Sequence, residues 1–181
     1  MSLTDLYIVR HGHPQLGTGI PYDRVPGPPL SEIGHAEARL AGVYLAGCRI
    51  ERLFASPLDR ALSTAQAISS ETGLPVLVEE ALAEHHKDET FDTVKMRVNA
   101  FLNRIDSHEA SRAVLVTHGS PIKALLQLLS LDRIDLSRYV YANGNHAPTA
   151  GIWHARRMDG DWHIDLIFKP VVPTPDAHIP V

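Results

Sequence analysis

Apolar positions run unbroken from Leu6 to Val9 and stop at Arg10, which predicts a short strand buried on both faces. "LSEIGHAEARLAGVYLAG" then changes period. Ile33, Ala36, Leu40, Val43 and Tyr44 fall on one helical face, with Ser31 as the N-cap. "IERLFAS" predicts a second strand, and "PLDRALSTAQAISSETG" a second helix with Pro57 near its start and Gly73 after its end. "LPVLVEE" reads as a third strand. From about Thr90 to Ile105, Phe91, Val94, Val98, Phe101, Leu102 and Ile105 mark a third amphipathic helix. "RAVLVTHG" and "SPIKALLQLLSL" supply a fourth strand and a fourth helix.

Four strand–helix alternations predict an α/β fold, a mostly parallel sheet covered by helices on both faces. Near the C-terminus the grammar changes. "TAGIWHARRMDGDWHIDLIF" reads as two strands joined at Asp159-Gly160, a hairpin turn signal. "KPVVPTPDAHIP" carries four prolines and reads as an extended tail laid on the surface. No composition shift, repeat or linker breaks the chain, so residues 1–181 are expected to form one domain.

Composition narrows the class without naming a chemistry. The 181 residues are 44% apolar and 21% charged, enough to bury a core. A net charge of −4 gives no global basic field, so nucleic acid is not an expected partner. No segment approaches the roughly 20 apolar residues of a membrane span, and "MSLTDLYIV" does not read as a signal peptide. The single cysteine, Cys48, excludes an internal disulfide and fits a reducing compartment, so the cytoplasm is the expected location. Of the eleven histidines, His35, His108 and His163 sit in polar contexts that predict surface positions. His85 and His86 are sequence neighbours that point different ways, which disfavours a metal site there.

Candidate chemistry sits at the carboxyl ends of the strands, where open α/β sheets bind ligands. The first strand ends in "VRHGHP", the second in "ASPLDRA" and the fourth in "VTHGSP", while "EALAEHH" follows the third. The topology therefore gathers Arg10, His11, Arg60, His118 and Glu84 on one side of the sheet. Two guanidinium forks and an imidazole suit a phosphoryl group. A neutral histidine nitrogen can attack phosphorus, and a carboxylic acid can protonate a leaving alkoxide and then deprotonate water. Fixed cations supply the electrostatics, so neither metal nor cofactor is expected. Gly12 and Gly119, each after a histidine, would let the backbone pass close to the phosphate.

"RHG" after the first strand, "PLSEIGHAEA", "ASPLDRALSTA", "EALAEH" and "VLVTHGSPIKALL" together resemble the histidine phosphatase superfamily, also called phosphoglycerate-mutase-like, over residues 6 to 126. The resemblance implies a three-layer α/β/α sandwich. It implies His11 as the phosphorylated nucleophile, Arg10, Arg60 and His118 as phosphoryl ligands with Gly12 beside them, and Glu84 as the proton donor. The reaction expected is metal-independent hydrolysis of phosphomonoesters, with a phosphorylated small molecule or a phosphoprotein as substrate.

The chain departs from the family's pattern in three places. Gly17 stands about where many members carry an asparagine that helps to bind phosphate, and His13 or Gln15 are the candidate replacements. The segment after Glu84 runs from "AEHHKDETFD" straight into the third helix, so the lid is short and the site is expected to be open. The insertions of the mutases are absent, which favours hydrolysis, since water reaches an open phosphoenzyme. A mutase and a non-catalytic phospholigand-binding module remain alternatives. "HGH" at a strand end also recurs in metal hydrolases, but these are usually barrels of ~250 residues. His178 resembles a tail histidine that relatives hold near the site. Asn143 and Asn145 predict a turn, and one of Arg156 and Arg157 is expected to point inward from a hairpin strand.

Overall fold

A computed structural model of the chain describes residues 2–108 and 110–172. The strands are β1 (Asp5–Arg10), β2 (Arg52–Ala55), β3 (Val76–Val78), β4 (Arg112–Thr117), β5 (Ile152–Met158) and β6 (Asp161–Phe168). The helices are α1 (Glu32–Ala46), α2 (Asp59–Thr72), α3 (Phe91–His108) and α4 (Gly119–Ser130). The sheet order is β3-β2-β4-β1-β5-β6. β1 to β4 run parallel, β5 turns antiparallel to β1, and β6 pairs antiparallel with β5.

Alternation along β1 explains the three layers. Leu6 and Ile8 face one side and pack with Val94, Val98 and Phe101 of α3 and Ile122, Leu125 and Leu126 of α4. Tyr7 and Val9 face the other side, with Ala41 and Leu45 of α1 and Ala61, Ala65 and Ile68 of α2. Both faces are covered, which is why the central strands read as continuous apolar runs. Trp153 of β5 is fully buried, and its indole N–H donates to the His146 carbonyl at 2.8 Å. At the β5–β6 hairpin Asp159 and Gly160 both take positive φ, the two-residue turn their sequence predicts.

One packing expectation is overturned. Ser31 does cap α1, its Oγ accepting from the Gly34 amide at 3.1 Å. The helix, however, buries Gly34, Ala38, Ala41, Gly42 and Leu45, and leaves Ile33, Leu40, Val43 and Tyr44 exposed. The cause is the close approach of α2. A Cβ on Gly42 would stand 3.0 Å from the Ala67 carbonyl oxygen and 3.2 Å from the Ile68 Cα. Only the face of small residues fits against that backbone, so the larger side chains turn outward.

Among the described residues no helix is long and apolar enough to cross a membrane. His35 and His163 are exposed, as expected, whereas the side chain of His108 and the tail from residue 173, with His178, lie outside the described residues. Asn143 and Asn145 sit in and just after the short 3-10 turn Ala142–Gly144. Arg156 and Arg157 are both ion-paired, with Asp5 and Asp106 respectively.

Candidate active site

β1 and β4 lie side by side at the centre of the sheet, with Arg10 opposite Thr117. The chain leaves β1 for α1 on one face and leaves β4 for α4 on the other, which opens a crevice between the two strand ends. The first residue past each strand is a histidine. The rings of His11 and His118 are therefore neighbours, with centroids 5.1 Å apart. His11 is anchored at both backbone atoms: its amide donates to the Thr117 carbonyl and its carbonyl accepts from the Ala150 amide.

Arg60 enters from the first turn of α2 and is fully buried, and Arg10 is nearly so. Arg10 Nη1 donates to the Ala147 carbonyl at 2.8 Å. None of the three Arg60 nitrogens donates a hydrogen bond to a protein atom, and neither does Arg10 Nε. Buried guanidinium nitrogens without hydrogen bonds are costly, and such donors can take an anionic ligand.

Glu84 follows the 3-10 turn Glu80–Leu82, which is tied down from two sides. Thr117 Oγ1 donates to the Leu82 carbonyl at 2.6 Å, and Arg97 of α3 donates to the Ala81 carbonyl at 2.6 Å. Glu84 Oε1 accepts from the His85 amide at 2.9 Å. Its Oε2 faces the centre, 3.6 Å from Arg60 Nη2 and 3.7 Å from His118 Nδ1. The competing carboxylates are engaged elsewhere: Glu89 pairs with Arg97 at 2.7 Å, and Asp88 lies 3.4 Å from His86 Nδ1.

The electrostatics of these groups follow from burial. His11 is held well below the usual histidine range, first by desolvation and then by the guanidiniums of Arg60 and Arg10. His118 is depressed in the same way, first by desolvation and then by His11 and the guanidiniums of Arg60 and Arg10. Burial pushes the Glu84 carboxyl up, against the pull of the His85 amide and Arg60. His11 Nδ1 lies 2.7 Å from the Gly12 carbonyl oxygen and so donates to it, which leaves the lone pair on Nε2.

The site is closed, contrary to the open cleft expected from the short segment after Glu84. His11 is 1% exposed and His118 and Arg60 are 0% exposed. The cover comes from the other side, from the loop of residues 15–30. Tyr22 Oη lies 3.4 Å from His11 Nε2, and the Arg60 guanidinium carbon sits 3.8 Å from the Tyr22 ring centre. The expected replacements for the asparagine do not approach: His13 Nδ1 is bonded to Ser31 Oγ at 3.0 Å, and Gln15 is exposed.

The two glycines also stand against other parts of the chain. A Cβ on Gly12 would meet the Gly34 carbonyl oxygen at 2.4 Å, and one on Gly119 would meet Asn145 Oδ1. Both glycines admit neighbouring chain segments. Two further residues carried no signal of their own. Ser56 Oγ holds His118 Nε2 at 2.7 Å, and Thr64 Oγ1 accepts from the Gly12 amide at 3.0 Å while donating to the Arg60 carbonyl at 2.7 Å. Both lie inside "ASPLDRALSTA", each four residues from Arg60.

His11, Glu84 and His118 each offer a ligand atom, all within 4.8 Å of one another, and could close round a cation. Two guanidiniums share that space, and their fixed charge suits an anion better. Among the described residues His85 and His86 join no such cluster. His85 Nε2 donates to the Glu89 carbonyl, and His86 Nε2 accepts from Arg24.

Comparison with known proteins identifies similar chains. The family model described as histidine phosphatase superfamily (branch 1) matches residues 6–89 and again residues 85–168. An uncharacterized protein of Mycobacterium tuberculosis, Rv0525, is 41% identical over 81 residues, covering 45% of this chain and 40% of that protein. The chain thus aligns with well under two thirds of the length of its first curated relatives. The adenosylcobalamin/alpha-ribazole phosphatase of Salmonella typhimurium is 23% identical over 87% of each chain. Among solved structures, mycobacterial glucosyl-3-phosphoglycerate phosphatase superposes with a TM-score of 0.72 at 21% identity, over 91% of this chain and 98% of that one. A likeness at that identity carries the fold.

Proposed function

We propose that this chain, which belongs to the histidine phosphatase superfamily, hydrolyses phosphomonoesters without a metal, through a phosphohistidine on His11. The observation that carries the reading is that Arg10 Nε and all three Arg60 nitrogens are buried without a hydrogen bond to the protein, beside an imidazole held low and a carboxyl of raised pKa.

In the first step His11 Nε2 attacks phosphorus. A P–N bond forms as the P–O ester bond breaks, and Glu84 Oε2 gives its proton to the departing alkoxide. The Gly12 carbonyl holds the Nδ1 proton and steadies the imidazolium that results. Arg10 and Arg60 bind the phosphoryl oxygens and offset the charge on them during transfer. His118 contributes through Nδ1, its Nε2 being held by Ser56. A dianion placed beside that ring raises its pKa and favours the donating imidazolium. In the second step Glu84, now ionised, takes a proton from water. The water oxygen attacks phosphorus, the P–N bond breaks, and inorganic phosphate leaves with His11 neutral again.

The substrate class is a phosphorylated small molecule. The similar proteins include phosphatases named for alpha-ribazole-5'-P and for glucosyl-3-phosphoglycerate, compounds whose shared element is the phosphoryl group. The test is phosphate release from an aryl phosphate in excess chelator, wild type beside His11→Ala. Activity that survives the chelator and disappears in the variant is expected. Loss of wild-type activity on chelation, or activity retained by the variant, would contradict the proposal.

A further inference from the structure

Tyr22 has no part in the chemistry just described, yet its hydroxyl stands within hydrogen-bond reach of the nucleophilic nitrogen. Its Oη stands 3.4 Å from His11 Nε2, where it donates to the lone pair that would attack phosphorus. Its ring covers the Arg60 guanidinium at 3.8 Å, a cation–π contact over donors that phosphoryl oxygens would otherwise take. Phosphorus approaching Nε2 at about 3–3.5 Å needs the space the phenol fills. Tyr22 and a phosphoryl group therefore exclude each other. The side chain is 40% exposed while His11 beneath it is 1% exposed, so Tyr22 is the wall between the phosphoryl subsite and solvent.

Opening the subsite requires the loop that carries Tyr22 to move. Beside Tyr22, residues 15–30 are tied to the body by Asp59 N to the Pro26 carbonyl, Lys87 N to Asp23 Oδ2 and Arg24 Nη2 to His86 Nε2, the last two on the same short segment after Glu84. Beside the loop a groove of about 300 Å³ runs past Asp23, Val25, Leu58, Ala83 and Glu84. It adjoins the carboxyl that would protonate the leaving oxygen, so the alcohol half of an ester bound there meets a surface that a bare phosphate does not.

We propose that Tyr22 is a specificity-determining residue that competes with phosphate for the phosphoryl subsite. The site then accepts a phosphoryl group readily only as an ester whose alcohol half binds the groove beside Glu84, and Tyr22 returns over His11 as inorganic phosphate leaves. The inference rests on the phosphatase reading above. It implies weak product inhibition, because closing the subsite lowers the apparent affinity for phosphate by the fraction of time the site is open.

Calorimetric binding of inorganic phosphate and of orthovanadate to wild type, Tyr22→Phe and Tyr22→Ala tests the competition, with thermal unfolding of each run alongside. For a subsite closed about nine-tenths of the time, Tyr22→Ala should bind both anions about tenfold more tightly. Tyr22→Phe, which keeps the ring over Arg60 and loses the hydroxyl, should gain less. A gain in affinity is not something a damaged fold produces. Unchanged or weaker binding in Tyr22→Ala overturns the proposal and makes the phenol a phosphate ligand or a structural cover. No anion binding in any of the three, with the unfolding transitions intact, overturns the phosphatase reading beneath it.

Discussion

The two ends of the sheet carry charge in opposite ways. At the amino end of the parallel strands the charged groups are partnered and partly solvated. Asp5 accepts from His154 at 2.9 Å and from Arg156 at 3.2 Å, Arg157 donates to Asp106 through both terminal nitrogens, and Arg112 pairs with Glu51 at 2.9 Å. Asp5 and Asp106 accordingly sit below the usual carboxylate range, where hydrogen bonds and nearby cations outweigh burial. At the carboxyl end Arg60 and His118 are fully buried, several of their nitrogens lack a protein partner, and burial pushes Glu84 up instead. One end satisfies its charges, and the other holds them ready for a ligand. The fold tolerates the second arrangement because the long apolar strands between the ends supply its stability.

Substitutions at the two ends should therefore separate activity from stability. The largest effect is expected from His11→Ala, whose turnover of an aryl phosphate should fall below about one percent of wild type, with no acid-labile phosphate left on the protein. Glu84→Gln should slow an alkyl phosphate by about a hundredfold or more and an aryl phosphate far less, because a phenolate leaves with little protonation. Equal losses on both substrates would place Glu84 in binding or folding.

The pH profile of alkyl-ester turnover follows from the same groups. Turnover requires neutral His11 and protonated Glu84. It should rise on the acid side as His11, held low, loses its proton, and fall as pH climbs through the raised Glu84 pKa. The optimum should fall between those two limbs, and a profile with no fall on its alkaline side, or an alkaline limb that Glu84→Gln leaves in place, would contradict the assignment.

Arg60→Met sharpens the comparison most. It should weaken orthovanadate binding by about a hundredfold, and, combined with Glu84→Met so that no buried carboxyl is left without its cation, it should not lower the unfolding midpoint, since replacing a whole buried ion pair by apolar chains of similar volume is often neutral or stabilising by about 1–4 kcal/mol. Arg157→Ala, at the satisfied end, should do the reverse. It should cost stability by about 0.5–1 kcal/mol in chemical denaturation and leave turnover unchanged. If both variants lose stability alike, the contrast between the ends does not hold.

Much of this was legible in the sequence for a physical reason. Strands buried on both faces leave no polar positions inside, so Arg10, His11 and His118 stand out sharply at the ends of their runs. The parallel pairing of β1 with β4 then places the two histidines together without further information. The burial of α1 was read on the wrong face, because periodicity weights large side chains, whereas the α2 backbone approaches too closely for any but Gly and Ala. Tyr22 gave no signal at all. It sits in a loop rich in glycine and proline, outside any periodic element, and its place over His11 depends on the path of residues 15–30. For that reason the closure of the site was missed as well. Ser56 and Thr64 escaped notice because a buried hydroxyl that bonds a catalytic ring or a glycine amide looks, in sequence, like any helix-start serine or mid-helix threonine.

The most direct measurement is rapid-quench trapping of the protein during turnover of an aryl phosphate, followed by mapping of the phosphorylated residue under alkaline conditions. The account predicts an acid-labile phosphate on His11, formed in a burst of close to one equivalent per chain when hydrolysis of the intermediate is slow. Phosphate found on another residue, or steady hydrolysis with no phosphoenzyme at any time, would contradict it.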